Sequence, residues 1–277
     1  MDTSLPTPPF IEVPGVVNFR DIGGYPIASQ PGKIVRQGLV FRSGNPSEVW
    51  EAGIAKLQEL GIRRVYDLRS IPEIESLGSR TPGPMIKEWE GAERIFVPVF
   101  RDEDYSPEAI ALRTKNYGNG PQGFAEAYMA ILDAGSSSSN ANRPFATILS
   151  QLASDSPPAP MLIHCSAGKD RTGIVCALIL SLCGVEDEVV AQEYSLTDLG
   201  LATLHDIILN NLMKEPVYRD NPEWAFHMLQ AKKEAMLNTL SAIRSKYGSV
   251  EDCVISLGLL TREGVERLRH HLIVDAV

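Results

Sequence analysis

A chain of 277 residues, 44% of them hydrophobic, can bury a substantial core, and its length suits one elaborated domain. Its net charge of −9 and isoelectric point near 5.1 exclude broad attraction to nucleic acid or anionic lipid, so any phosphate site has to be a local basic pocket. The longest apolar run, Ile174 to Val185, is too short to span a bilayer and predicts a buried helix, with no stable membrane insertion.

Residues 1–12 read as a flexible lead-in without the features of a secretory signal, which points to a cytoplasmic protein, and residues 13–277 as a single domain. From Val16 to Ser43 short β-favouring pieces alternate with turn clusters such as DIGGYP and QPGK, a hairpin-like stretch. Ser47 is placed to cap a helix through Val49, Ile54, Leu57 and Leu60 that ends near Gly61, after which RRVYDLRS predicts a buried strand. Arg94 to Phe100 predicts another strand, Ser106-Pro107-Glu108 opens a helix, and a further helix covers Gln122 to Asp133. The run GSSSSNAN, 135–142, reads as a solvent loop.

Pro157, Pro158 and Pro160 stop the preceding helix, MLIHC makes a short apolar strand, SAGKDR a turn, and a helix begins at Arg171. Beyond Glu186 the pattern is almost wholly helical, with a long amphipathic stretch opened by Asn221-Pro222 and closed by Gly248. The predicted fold class is α/β: a central, mainly parallel sheet flanked by helices in three layers, with a helical C-terminal region. The apolar positions from Leu204 to Leu237 suit core packing, or else make 200–250 a helical insertion that serves as a lid over a cleft.

The chemistry concentrates in His164-Cys165-Ser166-Ala167-Gly168-Lys169-Asp170-Arg171-Thr172-Gly173, a thiol five residues before an arginine on a strand-turn-helix. In such a turn the backbone N–H groups of Ser166, Ala167, Gly168, Lys169, Asp170 and Arg171 converge on an anion, with the helix dipole behind them. The same positive field favours the thiolate of Cys165 and makes it a nucleophile without a metal or other cofactor. Arg171 offers a planar fork for two phosphoryl oxygens, and the Thr172 hydroxyl is placed to donate to the thiolate and ease its departure. His164 orients the turn. Cys176 and Cys183 read as packing thiols, and the four cysteines show neither zinc-type pairs nor the density of a disulfide scaffold, as befits a reducing compartment.

HCSAGKDRTG resembles the signature HCxxGxxR-S/T of the cysteine-dependent tyrosine and dual-specificity phosphatases. Together with NFRDIGGY at 18–25 and FRSG at 41–44, it is most similar to the atypical bacterial and fungal tyrosine phosphatases. The resemblance implies a parallel sheet with flanking helices, no metal, and hydrolysis of protein phosphotyrosine with possible dual specificity. Because some lipid-directed relatives carry lysine or aspartate at positions matching Lys169 and Asp170, a phosphoinositide substrate stays open.

The leaving oxygen needs a proton, and three aspartates compete to supply it. Asp170 lies inside the turn, where bound phosphate favours its protonated form, and is the first choice; Asp102 follows the strand RIFVPVF, where the superfamily hangs an acid-bearing loop, and is the second. Asp67 lies at the end of another strand and reads equally as an ion-pair partner of Arg69 or Arg42. Arg20 and Asp21 read either as substrate contacts or as a buried structural turn. A catalytically silent phosphate-binding module and a thiol-redox protein are the competing functions; the oligomeric state is left open.

Overall fold

The computed structural model describes residues 5–78 and 87–276, apart from the side chains of residues 76–78, 102, 103 and 107. Strands β1 (Arg20–Asp21), β2 (Lys33–Val35) and β3 (Val40–Ser43) are followed by α1 (Glu51–Glu59), β4 (Arg64–Asp67), α2 (Ile71–Gly78) and β5 (Glu93–Phe96). Helices α3 (Pro107–Gly118), α4 (Gly120–Ser136) and α5 (Pro144–Leu152) lead to β6 (Met161–His164) and α6 (Asp170–Leu182). Then come α7 (Asp187–Ser195), α8 (Thr197–Gly200), α9 (His205–Leu212), α10 (Pro216–Asp220), α11 (Pro222–Leu229), α12 (Lys233–Tyr247), α13 (Val250–Ser256), α14 (Arg262–Leu272) and a closing strand, β7 (Ile273–Asp275).

Five strands form one sheet in the order β1-β3-β6-β4-β5, parallel except at the antiparallel β1 edge. At its centre, β6 registers Met161 to His164 against Val40 to Ser43 on one side and Arg64 to Asp67 on the other. A strand covered on both faces has to be apolar throughout, which is why MLIH shows no alternation. Leu162 joins Phe41, Val65 and Leu57 of α1 on one face, while Met161 and Ile163 turn to the other and pack with Phe145, Ile148 and α6. These are the expected three layers. The run from Ile174 is indeed a core helix, buried at nearly every position from Thr172 to Leu182.

Ser47 caps no helix. Asn45 accepts from the Ser47 N–H and closes a single turn at Pro46–Glu48, and the Trp50 N–H bonds the Pro14 carbonyl at 3.1 Å, so the chain stays extended until α1. Ser106 does cap α3, accepting from the Ala109 N–H at 3.2 Å. The stretch 135–142 is tied down more than a solvent loop: Asn140 is buried and donates to the Pro98 carbonyl at 2.9 Å. At the N-terminus the packed chain reaches back to Phe10, which is buried beneath the Arg20 guanidinium.

The C-terminal region is not wholly helical, because β7 pairs with β2 from the other end of the chain, Lys33 opposite Asp275. The stretch from Asn221 to Gly248 is two helices, broken where the Ala231 N–H bonds Asp198 Oδ1 at 2.6 Å. α12 sends its apolar face, Met236, Leu240 and Ile243, into the core, and from α11 the partly buried Met228 packs against it. Among the described residues from Ala202 to Gln230, Tyr218 and Ala225 are the buried ones, and Ile207 and Phe226 are more than half exposed.

Candidate active site

Between the end of β6 and the start of α6, Cys165 to Lys169 make the turn at the carboxyl edge of the central strand, where open α/β sheets gather their ligands. Its shape is enforced from outside. Gly168 has φ +67°, and a Cβ there would lie 2.1 Å from the Ser43 carbonyl oxygen, so glycine alone fits. The turn's carbonyls are tied to the surrounding protein: Asn18 Nδ2 donates to Ala167 O at 3.0 Å and Gly168 O at 3.3 Å, Arg42 Nη2 to Gly168 O at 2.6 Å, and the Asn45 N–H to Ser166 O at 2.9 Å. Because a trans peptide points its N–H opposite its C=O, this arrangement turns the N–H groups toward the concave side, where the first turn of α6 adds unpaired donors of its own.

Cys165 sits at the floor of that cradle, buried. Arg171 reaches out to Glu73 of α2, its Nη1 and Nη2 donating to Oε2 and Oε1 at 2.5 and 2.6 Å, with Nη1 also 3.3 Å from the Leu68 carbonyl. Ser166 Oγ donates to the same carboxylate. This end-on grip leaves the Nε–Nη2 edge of the guanidinium, a pair of donors spaced for two oxygens of a tetrahedral anion. Burial alone would raise the Glu73 pKa, but the Arg171 charge outweighs it and holds the carboxyl below its ordinary value. The Phe100 ring lies beside the arginine, 5.7 Å from its guanidinium carbon.

Asp170 Oδ1 accepts from the Tyr128 hydroxyl at 2.7 Å, which is in turn 2.6 Å from the Tyr194 hydroxyl, and burial keeps both phenols protonated far above their usual range. Its side chain is 17% exposed, so the carboxyl is both held and open to the cleft. Asp102 belongs to the short turn Asp102–Tyr105, and its side chain lies outside the described residues. Asp67 is no acid: fully buried, it accepts from Arg69 at 2.9 and 2.7 Å and from Arg94 at 3.1 and 2.8 Å. The Lys169 ammonium donates to the Met228 and Gln230 carbonyls, lies 5.0 Å from the Phe124 ring centre and pairs with Asp170 Oδ1 at 3.6 Å.

A sequence profile described as the tyrosine phosphatase family matches residues 11–274. The chain belongs to that family. It is 29% identical over 253 residues to the triple specificity protein phosphatase PtpB of Mycobacterium tuberculosis, covering 85% of each chain. It is also 27% identical over 156 residues to a tyrosine-protein phosphatase of Nostoc commune, covering 55% of this chain and 50% of that one. The resemblance carried by NFRDIGGY and HCSAGKDRTG is thus confirmed. Among the described residues of the phosphatase, no helix is long and apolar enough to cross a membrane.

His164 supports the phosphatase loop from below. Its Nδ1–H donates to the Cys165 carbonyl at 3.2 Å, and Nε2 lies 3.8 Å from Asp67 Oδ1. Burial lowers the imidazole from 6.5 to about 4 against the opposing pull of Asp67, so at neutral pH it is uncharged. The unfolded chain takes up this proton first as pH falls below 6.5, so folding stability drops from there toward pH 4. Between about pH 7.5 and 5 the expected loss is about 2 kcal/mol, and urea unfolding at a series of pH values should find stability less dependent on pH in His164→Gln. Glu73 and Glu193 are both held below 4.5, so their losses begin only at lower pH.

Thr172 is buried and its hydroxyl has no partner among the described residues, an unspent donor at the base of the loop. Arg20 and Asp21 prove structural: Arg20 is buried against Glu193, and Asp21 accepts from the Gly23 and Gly38 N–H groups at 2.8 and 2.5 Å. Glu73, Asn18, Arg42 and Tyr128 are the loop's contacting neighbours that sequence reasoning missed. For Asn18 and Arg42 a signal existed, since they sit inside the singled-out strings NFRDIGGY and FRSG; Glu73 and Tyr128 carry none.

Proposed function

We propose that the phosphatase hydrolyses phosphate monoesters through a phosphocysteine on Cys165, with protein phosphotyrosine as the principal substrate and dual specificity in reach. The observation that carries this reading is a buried cysteine at the floor of a turn whose carbonyls are all held outward, facing an arginine already oriented by Glu73. Sγ attacks phosphorus as the P–O ester bond breaks, and the departing oxygen takes the proton of Asp170. The Arg171 Nε–Nη2 edge and the turn's N–H groups hold the equatorial oxygens. Water then gives its proton to the Asp170 carboxylate and attacks phosphorus, and the S–P bond breaks as Thr172 donates to the leaving sulfur.

Phe100 beside Arg171 suits a phenyl ring, whereas the lysine that would favour an inositol phosphate is engaged by the Met228 and Gln230 carbonyls and by Asp170. A thiol-redox role finds no support in Cys176, the nearest cysteine in sequence, whose thiol burial pushes up to about 12. Four free thiols suit a reducing cytoplasm. The half-exposed helices between residues 200 and 230, anchored to the loop through Lys169, read as a cover over the cleft.

Asp170→Asn is expected to slow phenyl phosphate hydrolysis on the order of 100-fold or more while sparing an activated nitrophenyl ester. If Asp102→Asn shows that pattern instead, the acid is Asp102. Rapid acid quench during turnover should leave one phosphoryl group on the peptide containing Cys165; turnover with none there defeats the covalent route.

A further inference from the structure

Behind the anion cradle lie three fully buried charges that the proposed reaction does not touch: Arg20 on β1, Arg42 on β3 and Glu193 on α7. Glu193 bridges the two arginines, Oε1 to Arg20 Nε at 2.7 Å and Oε2 to Arg42 Nη1 at 2.6 Å. Its backbone carbonyl and the Thr197 hydroxyl each take a further hydrogen bond from Arg20 Nη2 at 3.1 Å. Two guanidiniums buried this close repel, and each would be an unpaired charge in an apolar medium without the carboxylate between them. Burial and the neighbouring Arg42 bring Arg20 down to about 10, so both remain cationic at neutral pH.

Both arms of this bridge end on the phosphate loop. Arg42 carries one arm to the Gly168 carbonyl at 2.6 Å and, more weakly, to the Lys169 carbonyl at 3.4 Å. Arg20 Nη1 carries the other to the Asn18 side-chain oxygen, and the Asn18 amide hands it on to the Ala167 and Gly168 carbonyls. The surroundings are cut to fit. A Cβ at Gly200 would lie 2.2 Å from Asn18 Oδ1, and one at Gly173 would press to 3.1 Å of the Tyr194 ring and 3.6 Å of Arg42 Nη2. Asn18 itself holds a left-handed backbone at φ 56°.

We propose that Glu193 is a positioning residue for the reaction: by fixing Arg20 and Arg42 it holds the carbonyls of residues 167 to 169 away from the cleft, and so keeps the opposing N–H groups aimed at the phosphoryl oxygens. The strings NFRD and FRSG are the parts of this clamp that surround the loop, and Glu193 is the part that fastens them together. The inference rests on the phosphocysteine reading of the loop and adds a residue of α7 to it.

The test is Glu193→Gln and Arg42→Lys, each compared with wild type for aryl phosphate turnover and for inhibition by orthovanadate, which takes the five-coordinate geometry the loop is shaped to hold. Glutamine keeps the shape but not the charge; lysine keeps the charge and the link to Glu193 but cannot also reach Gly168. Each variant should lose kcat on the order of 100-fold, as expected when donors are displaced by a fraction of a bond length, and should weaken vanadate inhibition in parallel. The double variant should be little worse than the worse single one, since both act through the same carbonyls. A purely structural role predicts only a lower melting temperature, with kcat and vanadate inhibition of the folded fraction at wild-type values, and that result overturns the proposal. If Glu193→Gln does not fold, Arg42→Lys carries the same comparison alone. Should wild type prove inactive, the phosphocysteine reading fails, while calorimetry with inorganic phosphate still scores the clamp by whether Glu193→Gln weakens binding.

Discussion

Cys165→Ser is expected to abolish aryl phosphate turnover, by on the order of 10⁴-fold or more, because a neutral hydroxyl has no neighbouring base to replace the thiolate. His164, the adjacent imidazole, is directed at the Cys165 carbonyl and not toward the thiol, and Asp170 enters the first step as the protonated acid, so neither is arranged to activate a serine. The substitution trades one small buried atom for another, so the fold should survive with a melting temperature close to wild type. Phosphate binding should survive as well, since the cradle is made of backbone N–H groups whose direction is set by Asn18, Arg42 and Asn45. Calorimetry with inorganic phosphate alongside a turnover assay separates the two effects. Residual turnover near the wild-type rate would remove Cys165 from the chemistry altogether.

Arg171→Lys carries the second large effect, a fall in kcat of about 10³-fold, in the range seen when a guanidinium that stabilises a transferring phosphoryl group is lost. An ammonium keeps the charge but offers no planar edge. Arg171 works in two directions at once: its far end is gripped by both oxygens of Glu73, and that grip fixes the Nε–Nη2 edge toward the anion. Lysine cannot do both. Glu73→Gln should therefore reproduce part of the loss without touching the anion-binding atoms themselves, and steady-state kinetics should place the loss mainly in kcat for Arg171→Lys. Equal effects on phosphate binding and on kcat would mean that the arginine grips ground state and transition state alike.

The ten-residue string from His164 to Gly173 contained, by itself, the candidate nucleophile, the arginine proposed to clamp the phosphoryl group, the tight turn and a candidate acid. It did so because an anion cradle is local: a strand end, a glycine that can take φ +67°, and a helix N-terminus follow one another along the chain. The apolar runs on either side likewise announced a central strand and a core helix, since burial on all sides leaves no polar position to interrupt them. What locality could not supply is everything that holds the string in shape. Glu73, Asn18, Arg42, Glu193 and Tyr128 come from five separate elements or turns, and their side chains reach the loop, Glu193 through Arg20 and Arg42, only when the strand order β1-β3-β6-β4-β5 brings them there.

Alternatives that the chain left open close in the same way. Asp67, which read equally as an acid and as an ion-pair partner, is an ion-pair partner once Arg69 and the distant Arg94 close on it, and the Lys169 ammonium is taken up by the carbonyls at the end of α11 and by Asp170. Strand β7 was invisible because its partner, Lys33–Val35, lies at the opposite end of the chain. The sequence alone determined which residues are candidates for the reaction, because most of them share one turn of backbone; the tertiary structure decided which charges are paired, because a charge is neutralised by whatever the fold brings within hydrogen-bond reach.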